Sequence, residues 1–304
     1  MKKKDILTLL DLSQDDFTWL FDRAIMLKKR QKQGICDSTL PGKTLGLLFD
    51  KPSTRTRVSF EIAVIQLGGA SVFLSSKDTQ IARNEPIRDT ARVLSRYLDG
   101  LAIRTYSQDL LKQFATFAEI PVINALTDLY HPCQILSDLL TIIEVKGSYK
   151  GLNITWIGDG NNVSHSWLNA AVVLDLNFVL ACPEDYLPDS DILAKAIQSS
   201  KGKIKIMPDP FEAVKDADVI YTDVWASMGQ DREQTVIKDV FEKYQLNSNL
   251  LKLAPKDVIV MHCLPAHRGE EITDEVLEGP NSVVWDQSEN KLHMTKAILE
   301  MLMI

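Results

Sequence analysis

Thr44-Leu45-Gly46-Leu47-Leu48-Phe49-Asp50-Lys51-Pro52-Ser53-Thr54-Arg55-Thr56-Arg57-Val58-Ser59-Phe60-Glu61 points to the fold class. Its first six residues, Thr44–Phe49, form an apolar run of strand length, closed by Asp50 and turned by Pro52. Ser53 stands where a helix cap belongs, and a helical stretch follows over 55–67. A buried strand that feeds directly into a helix is the repeating unit of α/β folds with parallel sheets. A helix start also leaves backbone N–H groups unpaired at its positive end. Hydroxyls and two arginines at that place make an anion site, most naturally for phosphate. A capped surface helix with solvated arginines is the plainer alternative.

The same alternation continues in both directions. Residues 5–33 read as a helix, with a start signal at Asp11–Gln14 and the basic tail Lys28-Lys29-Arg30. Strands are predicted at Ser71–Phe73, Leu101–Arg104 and Val122–Asn124, with helices near 87–97, 107–118 and 134–146. A break follows at Gly147-Ser148-Tyr149-Lys150-Gly151. The second half repeats the style, with strands at Asn153–Ile157, Phe178–Ala181, Ile204–Met207, Val219–Thr222 and Val258–His262. The expectation is two doubly wound parallel-sheet α/β domains, 1–149 and 150–287. A final helix over 288–304 packs back on the first. Ligands in such sheets bind beyond the carboxyl ends of the strands.

The chain has 304 residues, a length that suits two domains, and its 45% hydrophobic and 25% charged residues are ordinary for a globular protein. A net charge of -7 argues against a general nucleic-acid binder. No apolar run approaches the ~20 residues needed to span a bilayer. The basic start Met1-Lys2-Lys3-Lys4 is not followed by the apolar region of an export signal. Cys36, Cys133, Cys182 and Cys263 lie far apart and read as free thiols in a reducing cytoplasm.

Four further segments fall at strand ends or helix starts. His131-Pro132-Cys133-Gln134 follows a strand and its loop; its imidazole and amide suit a carbonyl and an NH2 group, or merely cap a helix over a buried thiol. Asp223-Val224-Trp225-Ala226-Ser227-Met228-Gly229 directly follows Val219–Thr222, where a carboxylate would receive a cationic amine or close a turn. His262-Cys263-Leu264-Pro265 ends an apolar strand; a reactive thiol, a Cys–His pair or a weak zinc site are the readings open there. Gly158-Asp159-Gly160-Asn161-Asn162 half-matches a dinucleotide fingerprint, but Val163 stands in place of the third glycine. Asn162 instead suits a substrate carboxylate.

Taken in order, Ser53-Thr54-Arg55-Thr56-Arg57, Asp89-Thr90-Ala91-Arg92, His131-Pro132-Cys133-Gln134 and His262-Cys263-Leu264-Pro265 resemble the carbamoyltransferases, from about residue 5 to the end. The Asp-x-Trp-x-Ser-Met-Gly segment at Asp223 narrows the resemblance to the ornithine-using branch. That resemblance implies transfer of the carbamoyl group of carbamoyl phosphate to the side-chain amine of L-ornithine, giving citrulline and phosphate. It implies a carbamoyl phosphate domain followed by an ornithine domain, no metal and no organic cofactor. It also implies a homotrimer with active sites at subunit interfaces. Ser53, Thr54, Arg55 and Thr56 match phosphate-binding residues, and Gln80 matches a residue that reaches a neighbouring active site. Arg104, His131 and Gln134 match groups around the carbamoyl moiety; Asn162, Asp223, Ser227 and Met228 match ornithine contacts. Cys263 and Leu264 match the segment that meets both substrates, and Arg104, His131, Asp223 and Cys263 are the expected catalytic set.

Two positions depart from the family pattern. Lys291 stands where an arginine is usual, which keeps the charge and loses the planar fork. Ala82 stands where glycine is common. The rival readings are a carbamoyltransferase for another amine such as putrescine, a binding paralogue without turnover, and a dehydrogenase.

Overall fold

The computed structural model describes residues 4–75, 85–200, 203–225 and 234–304. Gln80, Ala82, Ser227 and Met228 therefore lie outside the described residues. The chain forms two compact units, Met1–Leu140 with Ser288–Ile304, and Thr141–Gln287.

Unit 1 opens with helix α1 (Gln14–Lys32) and continues as β1 (Thr44–Phe49), α2 (Arg55–Gln66), β2 (Ala70–Ser75), α3 (Ile87–Leu94), β3 (Gly100–Arg104), α4 (Gln108–Phe117), β4 (Val122–Leu126) and α5 (Pro132–Lys146). The four strands form a wholly parallel sheet in the order β2-β1-β3-β4. The chain leaves β1 towards β2 and later returns to pair β3 on the other side. The gap between β1 and β3 is thus a topological switch point, where such sheets take their ligands. Leu101, Ile103, Leu111, Phe114 and Val122 are buried on one side of the sheet.

Unit 2 repeats the plan with β5 (Asn153–Ile157), α6 (Asn162–Leu174), β6 (Asn177–Ala181), α7 (Ser190–Ser199), β7 (Ile204–Ile206), α8 (Pro210–Ala213) and β8 (Val219–Thr222). It ends in α9 (Gln234–Phe241), α10 (Ser248–Leu251), β9 (Ile259–His262) and α11 (Asp274–Leu277). Five parallel strands lie in the order β7-β6-β5-β8-β9, so the switch point falls between β5 and β8. Trp156 stacks on Tyr221 at 5.4 Å, and Trp167 packs edge-on to Tyr221 at 5.8 Å. The sheets also share a device: Asp99 accepts from the Thr44 N–H and Asp218 from the Asn153 N–H, each at 2.8 Å.

α12 (Val284–Met303) begins four residues before the predicted Ser288, and its portion from Ser288 onward belongs to unit 1. Polar pairs tie it there to α1: Arg23 with Glu300, Lys28 with Asn290 at 2.7 Å, and Lys296 with Gln31 at 2.5 Å.

The chain start differs from the helix expected over 5–33. Ile6 pairs with β4, donating to Val122 O at 3.0 Å and accepting from Asn124 at 2.8 Å. Thr8 then caps a short 3-10 turn, Leu9–Asp11, and α1 starts only after Ser13. Both starts carry a reciprocal capping box, Thr8 with Asp11 and Ser13 with Asp16. Two such boxes in succession stop one continuous helix from forming. The helix expected over 87–97 ends at Leu94, and Ser95 Oγ bonds back to Ala91 O at 2.7 Å.

Candidate active site

In unit 1, β1 delivers the chain to the predicted anion site. The Asp50 N–H donates to Arg104 O at 2.8 Å, which locks the end of β1 to the end of β3. Lys51 is buried, ion-paired with Asp128 and stacked over Tyr106 at 4.1 Å. It braces the turn that leads to Ser53. Helix α2 begins at Arg55, with Thr54 in the cap position, and Ser53 Oγ accepts from the Thr56 N–H at 3.2 Å. The start of α2 thus carries hydroxyls and Arg55 at its positive end. Arg57 points elsewhere: it pairs with Glu61 at 2.9 Å and lies over the Phe73 ring at 3.6 Å. Its role is structural.

Arg104 ends β3 just where the β3–β4 register shifts, and its side chain is buried. The loop after β4 is fixed by Thr127, whose Oγ1 donates to Gln108 at 2.7 Å and accepts from the Tyr130 N–H at 3.1 Å. That loop presents His131, and Pro132 opens α5, where a missing N–H costs nothing. Burial, followed by the charges of Lys291 and Arg104, holds the His131 imidazole well below its usual pKa, so it is neutral. Gln134 is buried with both ends committed: Nε2 donates to Asp138 at 2.8 Å, and Oε1 accepts from Lys291 Nζ at 2.9 Å. The Cys133 thiol lies against Asn124 O at 3.4 Å, and burial pushes its pKa up to about 12. Cys133 is packing.

In unit 2, three strand ends carry the predicted residues. After β5, Gly158 has φ 129°, and a Cβ at Gly160 would meet Pro188 N at 2.2 Å. The glycines of the half-matched fingerprint serve a left-handed turn and a close chain crossing. Asn161 caps α6, its Oδ1 accepting from Val163 and Ser164 at 2.9 and 3.2 Å. Its Nδ2 donates to Asp223 Oδ2 at 2.7 Å. Asn162 is the first residue of α6.

Asp223 follows β8 and is buried; its other oxygen accepts from the Cys263 thiol at 3.0 Å. Trp225 is core, stacked on Phe241 at 5.4 Å. After β9, His262 Nε2 meets Glu271 at 3.0 Å, and Nδ1 accepts from the Leu264 N–H at 2.8 Å. Both ring nitrogens are thus spent on the loop, so His262 is not the base of a Cys–His pair. The donor atoms of Asp223, His262 and Cys263 lie within 4.8 Å of one another, but a metal there would have to displace those loop bonds. Leu264 adopts φ 57°, and the Leu264–Pro265 peptide is cis.

The two units therefore gather distinct chemistries. Unit 1 brings Ser53, Thr54, Arg55, Thr56, Arg104, His131 and Gln134 to its strand ends and helix starts, and Lys291 reaches Gln134 from within α12. Unit 2 brings Asn162, Asp223, Cys263 and Leu264 to its own. Sequence reasoning missed Asn161 and Glu271. An asparagine directly before an apolar helical run is a cap signal that marks Asn161; a glutamate nine residues beyond a histidine carries none.

A parallel α/β chain with hydroxyls and Arg55 at one helix start and a buried carboxylate–thiol pair has the form of a two-substrate enzyme. The carbamoyl-P binding domain model of aspartate/ornithine carbamoyltransferase matches residues 4–144, and the Asp/Orn binding domain model matches 150–302. The ornithine carbamoyltransferase of Syntrophus aciditrophicus is 57% identical over 300 residues, covering 99% of both chains. That of Geobacter sulfurreducens is 52% identical, again covering 99% of both. The solved ornithine carbamoyltransferase from Pyrococcus furiosus superposes with a TM-score of 0.94 at 48% identity, covering 99% of this chain and 97% of that one. The chain belongs to the aspartate/ornithine carbamoyltransferase family. Among the described residues, no helix is long and apolar enough to cross a membrane.

Proposed function

We infer that this chain is an enzyme that transfers the carbamoyl group of carbamoyl phosphate to the side-chain amine of L-ornithine, giving L-citrulline and phosphate. The observation that carries the choice of amine is the Asp223 carboxylate, buried and held by Asn161 and Cys263. A fixed anion with a thiol beside it suits a cationic alkyl amine. The full-length likeness to ornithine carbamoyltransferases supports the same choice.

In this reading Ser53, Thr54, Arg55 and Thr56 bind the phosphate. Gln134 receives the carbamoyl NH2 on the second lone pair of its Oε1, beside Lys291. Arg104, neutral His131 and Thr56 donate to the oxyanion that forms as the amine attacks. A neutral imidazole is the right form, because it donates a hydrogen bond without surrendering a proton. Asn162, Asp223, Ser227 and Met228 hold ornithine, with Cys263 and Leu264 at the reacting end. A lysine-like amine with pKa ≈ 10.4 is neutral in only about one molecule in 2500 at pH 7, a cost of roughly 4.6 kcal/mol. Asp223 and Cys263 orient that amine, and they or the departing phosphate take its proton. No metal and no organic cofactor enters this scheme, because carbamoyl phosphate is already activated.

The reading includes a homotrimer in a reducing cytoplasm, with Gln80 of one copy serving its neighbour. Four free cysteines support the compartment. Val58, Ile62 and Ile65 on α2 and Val72 on the edge strand β2 are exposed, which supports a second copy as the partner. The spacing of the first three, at i, i+4 and i+7, puts them on one helix face.

The test is citrulline formation by the purified protein with carbamoyl phosphate and ornithine, beside putrescine and aspartate. Product with ornithine alone is expected. Product with another amine would move the amine assignment. No product with any amine, while carbamoyl phosphate still protects against heat, would leave a binding protein.

A further inference from the structure

We propose that Lys291 is a site of covalent self-carbamoylation, modified by carbamoyl phosphate when no acceptor amine is bound. The proposal rests on the reading that carbamoyl phosphate binds in unit 1 at Arg104, His131 and Gln134.

The transfer reaction delivers a carbamoyl group to a primary alkyl amine. Lys291 carries that same functional group, on a stem one methylene longer than that of ornithine. Its side chain is 5% exposed, and its Nζ donates to Gln134 Oε1 at 2.9 Å. Gln134 is itself pinned by Asp138 at 2.8 Å. The amine is therefore held against the very amide assigned to the carbamoyl NH2. It also stands close enough to His131 for its charge to depress that imidazole. The other buried lysines of unit 1 are placed differently. Lys51 is paired with Asp128, Lys28 with Asn290 and Glu289, and Lys296 with Gln31. An arginine at 291 would not react, because a guanidinium stays protonated. A lysine ammonium gives up its proton far more readily.

The step balances without an oxidant or reductant. The Lys291 ammonium first releases a proton to solvent; the neutral Nζ then attacks the carbonyl carbon and an N–C bond forms. The C–O bond to the phosphate breaks, and phosphate leaves with the electron pair and takes the amine proton. The products are N-carbamoyl-lysine and phosphate. The cation on Gln134 is lost, so the event inactivates the enzyme, and ornithine protects by consuming the carbamoyl group first.

The experiment incubates the purified protein with carbamoyl phosphate alone, with carbamoyl phosphate plus ornithine, or with potassium cyanate at the same concentration. Intact mass, peptide mapping and citrulline assays follow each. The expected result is one carbamoyl group on the Lys291 peptide, gained ahead of every other lysine, with activity falling in step. Ornithine suppresses it, and Lys291→Arg gains nothing at that peptide. The parent protein's map decides by itself, so the outcome does not hang on the variant folding. Citrulline production with Lys291 unlabelled overturns the proposal and leaves the function standing. Labelling by cyanate as fast as by carbamoyl phosphate overturns direct transfer. A fresh protein that makes no citrulline overturns the function and the proposal together.

Discussion

Asn161 and Asp223 are joined by a hydrogen bond of 2.7 Å, and the same asparagine caps α6 through its other side-chain atom. One side chain therefore sets both the start of a helix and the orientation of a buried carboxylate. Asn161→Asp separates the two duties. Aspartate caps as well as asparagine, but it donates nothing to Asp223 and sets a second negative charge against it. Losing a hydrogen bond to a charged group costs about 1.5–3 kcal/mol, so kcat/KM for ornithine should fall roughly 10- to 150-fold. Carbamoyl phosphate binding should change little, while thermal stability should fall, because two carboxylates then share a buried site. Steady-state kinetics in both substrates decide it, and an unchanged kcat/KM for ornithine would refute the link.

Cys263 holds the other oxygen of Asp223 at 3.0 Å. Cys263→Ala removes that donor and should weaken ornithine use several-fold while sparing carbamoyl phosphate affinity. Cys263→Ser keeps a donor and should recover most of the loss. Equal losses for both substrates in the alanine variant would remove Cys263 from the amine's surroundings.

Arg104 ends β3, with its carbonyl tied to Asp50. A donor aimed at a developing oxyanion is worth about 2.7–4 kcal/mol, so Arg104→Met should lower kcat roughly 10²–10³-fold. Single-turnover rates at saturating substrates test this. A change confined to the carbamoyl phosphate KM would assign Arg104 to ground-state binding instead.

His293 on α12 is buried, and desolvation, with the charges of Lys296 and Lys28, pushes its pKa down to about 4 from the usual 6.5. His131 is depressed in the same direction, chiefly by burial. The unfolded chain binds these protons first, so their contribution to stability is intact above pH 6.5 and shrinks as pH falls below it. For His293 the loss reaches about 3 kcal/mol near pH 4. Urea unfolding at several pH values should show a shallower slope below pH 6.5 for His293→Gln. An identical slope would mean that His293 does not couple to folding.

Ile62 and Ile65 lie exposed along α2 beside the edge strand β2. A charge there should disfavour a second copy. Ile65→Glu is expected to sediment as a smaller species than the parent. On the proposed reading that Gln80 serves a neighbouring copy, it should also lose activity. A parent that is already monomeric, or a variant of unchanged mass, would remove this face from the interface.

The strands Thr44–Phe49, Asn153–Ile157 and Val219–Thr222 were legible to the residue, because short apolar runs closed by Asp, Gly or Pro admit few readings. The chain start was not. Ile6 and Leu9 fit the apolar period of the helix that follows, and the bond from Ile6 to Val122 comes from a strand far along the chain. At Asn161 and Asn162 the sequence offers two adjacent amides, and local pattern does not say which one turns to Asp223.

The α/β class, the parallel sheets, the hydroxyl- and arginine-bearing start of α2 and the residue types at the strand ends were legible in the sequence. These follow from hydrophobic period and turn chemistry, which act over a few neighbouring residues. Packing in three dimensions sets the grip of Asn161 and Cys263 on Asp223, the bracing of a loop by His262 against Glu271, and the place of Lys291 on Gln134. Apart from His262 with Glu271, those contacts join residues at least 40 positions apart. Their geometry is fixed by how strands and helices pack, which no local pattern encodes.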